Sequence, residues 1–384
     1  MEAIKITVVE DAVALSMLAK KWDILLDSLE KPVPFLSHAW VTHWWANFNN
    51  GNALYIITVW KNDNLLGILP LQKTICMVLN VFRLRCLQSL VNGQCSLSDV
   101  IAHPDNLDCV LKKINEHFTK CSSVWDLIMM GYVPIKNDVV IKICNNLKET
   151  KIKLFVEPIG RSFESYYLDI KGSFQDYFSG LNKSFKDNRR NINNRLQRKG
   201  TMEFEVLKHF DPDAVQQFIN LEGSGWKNEK GTSIRLSKEV NSFYREIAET
   251  FAGKGQFLLA ILRLNGSPIA SIYGLIFKNI FYFLKIGIND TDPEIKKLSP
   301  GQVILYHLIK YCFDEKIEQF DFCAACYFYE SHWTKTVNQK KTIMIFNTKK
   351  QSVKLCVVLK RLLVALKLIE NRIRSRNISG AAKP

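Results

Sequence analysis

The chain has 384 residues, and 52 lysines and arginines against 37 acids leave it at +15. With 47% hydrophobic and 23% charged residues, 18 glycines and 11 prolines, its composition excludes a disordered, collagen-like or low-complexity chain. The length asks for two cores of about 150 to 190 residues each. The charge is concentrated: residues 183–199 hold seven basic side chains and one acid, and 349–376 nine and one. An anionic partner (a nucleotide, a phosphate, nucleic acid or an acidic membrane) is expected at one of these segments.

Ile4 to Val9 alternates as a strand with Lys5 inside it, and no apolar run follows a basic start. No secretory signal is read, and a cytoplasmic location is expected. Residues 11–29 form a helical pattern, and Ser37 to Phe48 a second one carrying Trp40, Trp44 and Trp45. The first two tryptophans lie one turn apart, which favours the core over a sugar-stacking platform. Ala53 to Trp60 and Leu65 to Leu71 flank Lys61-Asn62-Asp63-Asn64 as a hairpin; Asn106 to His117 then reads as a helix and Val124 to Met130 as a strand.

The C-terminal half repeats this order with clearer punctuation. Thr201 to Lys208 is a strand, Asp211 caps a helix opened by Pro212 and running to Glu222, and Ser237 caps another to Ala252. Gln256 to Leu264 and Ser267 to Phe277 flank Asn265-Gly266, and Lys278-Asn279 turns into Ile280 to Ile288. Ser299-Pro300-Gly301 leads into a helix from Gln302 to Phe313, and Ile317 to Phe322 is a last strand. Matching Asn62 to Asn265 sets a repeat of 203 residues, so two related units in tandem are expected: 1–160, 161–348, and a basic tail 349–384. The ten cysteines are expected to be mostly buried thiols. Cys323 and Cys326 form a lone C-x-x-C without a second ligand pair, so no metal is assigned.

Several residues along this order resemble those of one family. They are Pro34-Phe35 with Trp40 and Trp44-Trp45, Gly67-Ile68-Leu69-Pro70-Leu71, Arg189 and Arg190, Glu222 with Gly225-Trp226-Lys227 and Gly231-Thr232, Phe243-Tyr244, Ser299-Pro300-Gly301, and Asp321-Phe322 followed by Tyr329. The chain resembles the GNAT N-acetyltransferase superfamily in its CelD-type branch of cellulose and exopolysaccharide biosynthesis proteins, and more distantly the FemAB-type transferases. The fold so implied is α/β: two tandem GNAT-like units, each a mixed, mostly antiparallel sheet flanked by helices, the first non-catalytic.

The activity implied is transfer of an acyl group from acetyl-CoA or another acyl-CoA to an amine, through an opening between the strands Ile280 to Ile288 and Ile317 to Phe322. Ile286 and Gly287 would line the pantetheine arm. The pyrophosphate would rest at Ser299, Pro300, Gly301 and Gln302, where a helix start offers free N–H groups. The chemistry needs a base for the amine and an acid for the thiolate, roles assigned to Glu222 and Tyr329. Arg189, Trp226 and Lys227 are assigned to the acceptor, with a solvated basic face as the plainer reading of Arg189.

After Asp321-Phe322 the segment 323–330 lacks the acids and the tyrosine-lysine pair of the relatives. This departure keeps open a non-catalytic scaffold at a membrane surface, and the FemAB likeness, with Lys183 to Lys199 and the tail as phosphate contacts, keeps open an aminoacyl-tRNA-dependent transferase. The tail's leucines (Leu355, Leu359, Leu362, Leu366), interleaved with basic residues, could lie on anionic lipid or pack on the protein.

Overall fold

The computed structural model describes residues 3–95, 97–135, 142–143, 154–323 and 329–363; for 154–162 and Trp226 it describes the backbone only. Strand β1 (Ile4–Val9) is followed by helices α1 (Ala12–Met17) and α2 (Ala19–Asp27), where a single helix was expected. The break falls at Leu18, whose N–H turns to the Leu15 and Ser16 carbonyls. Helix α3 (His38–Phe48) starts at the expected cap, with Ser37 Oγ accepting from the Trp40 N–H.

Next come β2 (Ala53–Lys61), β3 (Asn64–Val78), β4 (Phe82–Ser89), the two-residue β5 (Ile101–Ala102), α4 (Leu107–Lys120) and β6 (Leu127–Pro134). Strand β4 was not expected. It gives the N-terminal half the third strand of its meander, pairing antiparallel with β3 and parallel with β6.

The second half runs β7 (Leu154–Asp169), α5 (Phe174–Ser179), α6 (Lys183–Lys199), β8 (Met202–Leu207), α7 (Pro212–Glu222), α8 (Lys238–Gly253), β9 (Phe257–Leu264), β10 (Ser267–Phe277), β11 (Ile280–Ile288), α9 (Pro300–Asp314), β12 (Gln319–Asp321) and β13 (Val337–Asn347). Its caps are those the residue types dictate: Asp211 accepts from Asp213 and Ala214 with Pro212 at the first helical position, and Ser237 accepts from Val240. Asn265 and Gly266 both take positive φ, 51° and 76°, as a two-residue hairpin turn requires.

Among the described residues the strands form one sheet in the order β1-β2-β3-β4-β6-β13-β7-β12-β11-β10-β9-β8, with β5 beside β3. Each half contributes five strands ending in a parallel pair, β4 with β6 and β11 with β12. The middle is an exchange. β7, which follows the first half's last strand, pairs with β12 of the second; β13, which follows β12, pairs with β6 of the first. β7 and β13 also pair with each other over most of their length, so residue 160 lies inside a strand.

On one face of the sheet the helices of both halves share a core, in which Trp40, Trp44 and Leu15 belong to the same cluster as Phe218, Phe243 and Ile247. The expected pair of separate cores survives only on the other face, where α4 covers the first half and α5, α6 and α9 the second. A last helix, α10 (351–363), packs Val353, Cys356 and Val357 onto Val78, Leu84 and Phe346 and leaves Leu355, Val358, Leu359 and Leu362 exposed. Of the two expectations for the tail, its described part meets the second: it packs on the protein.

Candidate active site

β12 ends after three residues. Only Ile280–Tyr282 of the nine-residue β11 pair with it, opposite Gln319–Asp321, and Cys323 then takes a left-handed φ of 57°. Phe283 to Ile288 continue without a strand partner on that side among the described residues. The neighbouring strands therefore part at their C-terminal ends, where the sheet has carbonyl and amide groups to offer.

The start of α9 faces this opening. Its cap, Ser299, is left-handed (φ 47°, ψ 55°) and makes no side-chain capping bond, and Pro300 at the first position has no N–H to offer. The Gly301 N–H is left for an outside acceptor. A Cβ at Gly301 would lie 2.6 Å from Ile288 Cδ1, so the missing side chain is what lets the helix start approach β11. Between them lies a cavity of about 390 Å³, lined by Glu222, Lys227, Phe283, Ile286, Ser299, Pro300, Gly301, Gln302 and Tyr329 among others. Eight of the sequence-predicted residues meet there.

Glu222 closes α7 and is almost wholly buried. Its Oε2 accepts from the Ile234 N–H at 2.9 Å and its Oε1 lies 3.2 Å from Lys227 Nζ. Lys227 Nζ also donates to the Ile286 carbonyl at 2.6 Å, and Ser224 Oγ to that of Ile288 at 2.9 Å. The turn after α7 thus occupies carbonyls of β11 that no strand takes.

Gly287, expected along the pantetheine arm, is not among the cavity's lining residues: a Cβ on it would meet the Glu222 backbone nitrogen at 2.7 Å. Its neighbours Ile286 and Ile288 carry their side chains to the other face of the sheet, where both line the cavity. The side chain of Trp226 and residues 324–328, including Cys326, lie outside the described residues.

Arg189 lies apart from this cluster, on the wall of an adjoining cavity of about 730 Å³ that shares Gln302 and Tyr329 with the first. Gln302 Oε1 accepts from Trp333 Nε1 at 3.2 Å. The rest of the basic helix is largely solvated: Lys183, Arg190, Arg195, Arg198 and Lys199 are exposed. His332 stacks on Phe185 beside Arg189, while His307 packs against Phe204 with its Nε2 unpartnered.

Two charged groups escaped sequence reasoning. Lys285 lies on β11 with Nζ 5.7 Å from the Tyr244 ring; burial first, then the charge of Lys227, pushes its pKa down to about 8 against the pull of Glu222. A lysine inside Ile-Phe-Tyr-Phe-Leu-Lys-Ile-Gly-Ile was the available signal. Asp290 lies over Gly225, where a Cβ would sit 1.7 Å from its Oδ1, and that oxygen is buried without a partner.

The first half holds the equivalent gap differently. Beyond its paired residues Cys86 to Gln88, Ser89 Oγ accepts from the Gly131 N–H, Ser98 Oγ donates to the Gly131 carbonyl, and a Cβ at Gly131 would meet Val91 at 2.7 Å. The loop following β4 stitches this gap.

Comparisons agree with this architecture. Residues 183–331 match the acetyltransferase (GNAT) domain. No curated protein matches the sequence. Among solved structures, FemX is similar at 11% identity and a TM-score of 0.57, over 86% of this chain and 96% of its own. The C-terminal domain of a putative lysylphosphatidylglycerol synthetase from Agrobacterium fabrum is similar at 8% identity and a TM-score of 0.51, over 89% and 95%. A conserved protein of unknown function from Bacteroides thetaiotaomicron is similar at 13% identity and a TM-score of 0.50, over 88% and 100%.

Proposed function

From the premise that this chain is a transferase of GNAT-like, FemAB-like fold, we propose that it transfers an acyl group from acetyl-CoA or another acyl-CoA to an amine, in the second of two tandem units. The observation that carries this reading is the parting of β11 and β12 in front of the uncapped start of α9. A thioester arm is slender enough for such a gap, and a helix N-terminus suits a pyrophosphate. The stitched gap between β4 and β6 supports a first unit without catalysis.

In this reading the amine nitrogen attacks the thioester carbon. The C–N bond forms as the C–S bond breaks, the amine proton passes to Glu222, and Tyr329 protonates the departing thiolate. Lys227 is released from the Ile286 carbonyl so that the pantetheine amide can take its place. Gln302 and Gly301 receive the phosphates. Acyl-CoA titration, followed by turnover of Glu222→Gln and Tyr329→Phe, tests the scheme: full turnover in either variant removes that residue from its role.

A second reading has the donor as a charged tRNA, and the exposed basic face of α6 favours it. Salt-sensitive tRNA binding together with no binding of any acyl-CoA would select it. No described helix is long and apolar enough to cross a membrane. The exposed leucines of α10 beside Lys354, Lys360 and Arg361 support contact with an anionic membrane surface, which liposome sedimentation of Leu359→Glu checks.

A further inference from the structure

The inner stripe of α6 consists of Phe185, Arg189, Ile192 and Leu196, the buried residues of that helix. Three of them pack as apolar side chains should. Arg189 is equally buried, 8% exposed, yet its Nε and Nη1 are enclosed without any hydrogen-bond partner. Its guanidinium leans on the Phe185 ring, 5.3 Å from the centroid, and lines the 730 Å³ cavity. A buried guanidinium with no acceptor is costly, and a leucine or methionine would fill this stripe without that cost.

The charged residues lining the cavity, Arg189 and Lys335, are both positive. Its lining also includes His332 and no carboxylate among the described residues, while the hydroxyls of Ser184 and Thr334 already donate to Asn182 Oδ1 and the Tyr167 carbonyl. It also shares Gln302 and Tyr329 with the cleft beside it, so whatever fills it lies next to the acyl-transfer point.

We propose that this cavity is an acceptor subsite for a phosphate-bearing group, whose oxygens pair with the buried Arg189 guanidinium. The acceptor role rests on the acyl-transfer reading; the phosphate site itself does not. The unpartnered Nε and Nη1 of Arg189 form a planar fork that matches phosphate oxygens, and Lys335 on the same lining adds a second positive charge.

Calorimetric titration of the full chain with inorganic pyrophosphate, in the presence of saturating CoA, tests this. Pyrophosphate is expected to bind alongside CoA, and Arg189→Met to weaken it by about tenfold or more, as loss of charge-assisted bonds does, with CoA affinity unchanged. Without ligand, Arg189→Met should melt no lower than the wild type, and pyrophosphate should raise Tm only in the wild type. Arg189→Lys serves if the methionine variant fails to fold: it keeps the charge, loses the fork and should bind pyrophosphate more weakly.

No pyrophosphate binding, equal binding by wild type and variants, or direct competition between pyrophosphate and CoA would overturn the assignment. The last result would hand the pocket to the donor's own phosphates. A chain that binds pyrophosphate through Arg189 but no acyl-CoA would instead refute the donor and leave the phosphate site standing.

Discussion

Trp40 and Phe243 stand 203 positions apart and meet edge to face, their ring centroids 5.1 Å apart. His43 and Glu246, separated by the same 203, are joined at 3.0 Å. The interval is the one that relates the two hairpins, so residues equivalent in the repeat touch each other across α3 and α8. That is what a two-fold relation between the units produces. Together with the exchange of β7 and β13, it leaves neither unit with a core of its own on this face.

Trp40→Ala should therefore destabilise the whole chain. Removing a fully buried indole wedged between Phe35 and Phe243 costs about 3–5 kcal/mol. Denaturant unfolding followed by a probe in the second half checks this. An unshifted midpoint would mean that the units fold apart.

Gly287→Ala should cut turnover more than substrate binding. The new methyl would press on the Glu222 backbone nitrogen, now 2.7 Å from its position, and push the end of α7 and its carboxylate away from β11. Overpacking of this kind costs about 1–3 kcal/mol. Steady-state kinetics should show kcat reduced at nearly constant KM for acyl-CoA.

Lys285 makes stability depend on alkaline pH. Its pKa in the folded chain is lowered from 10.5 to about 8, so between those values the unfolded chain binds more protons, and stability rises with pH. Below about pH 8 the penalty of burying the charge is complete. Lys285→Met should raise Tm at pH 7, raise it less at pH 10, and flatten the pH profile between. Parallel profiles for the two proteins would contradict this.

Asp126 ties the C-terminal helix to the first unit. Burial raises its pKa, but Arg85 at 3.1 Å and Lys350 at 2.6 Å outweigh that and bring it down to about 2. Its contribution is present above the ordinary value near 3.8 and is lost as pH falls through 2. Asp126→Asn should cost about 1–2 kcal/mol at pH 7 after allowance for solvent, with the cost shrinking as pH falls through 2. Hydrogen exchange of residues 351–363 should quicken in the variant.

Much of this fold was legible residue by residue. Asp211 before Pro212, Ser237, the Asn265-Gly266 turn and Ser299-Pro300-Gly301 ahead of α9 each decide a boundary within four or five positions. The strands β1, β10 and β11 fell where their apolar patterns end. The cleft residues Glu222, Lys227, Ile286, Gln302 and Tyr329 were legible as a set because the family resemblance implied a gap for them to line.

What the residues alone determined, then, was local: caps, turns, the 203-residue repeat and the inventory of groups available for chemistry. Tertiary structure alone decided that β12 stops after three residues, that β7 and β13 change places, that Gly287 supports α7 and that Arg189 is enclosed while the rest of its helix is solvated. Those outcomes depend on which distant strand or helix covers a given face. A pattern of neighbours along the chain carries no record of that, because burial and strand pairing are set by contacts between residues tens to hundreds of positions apart.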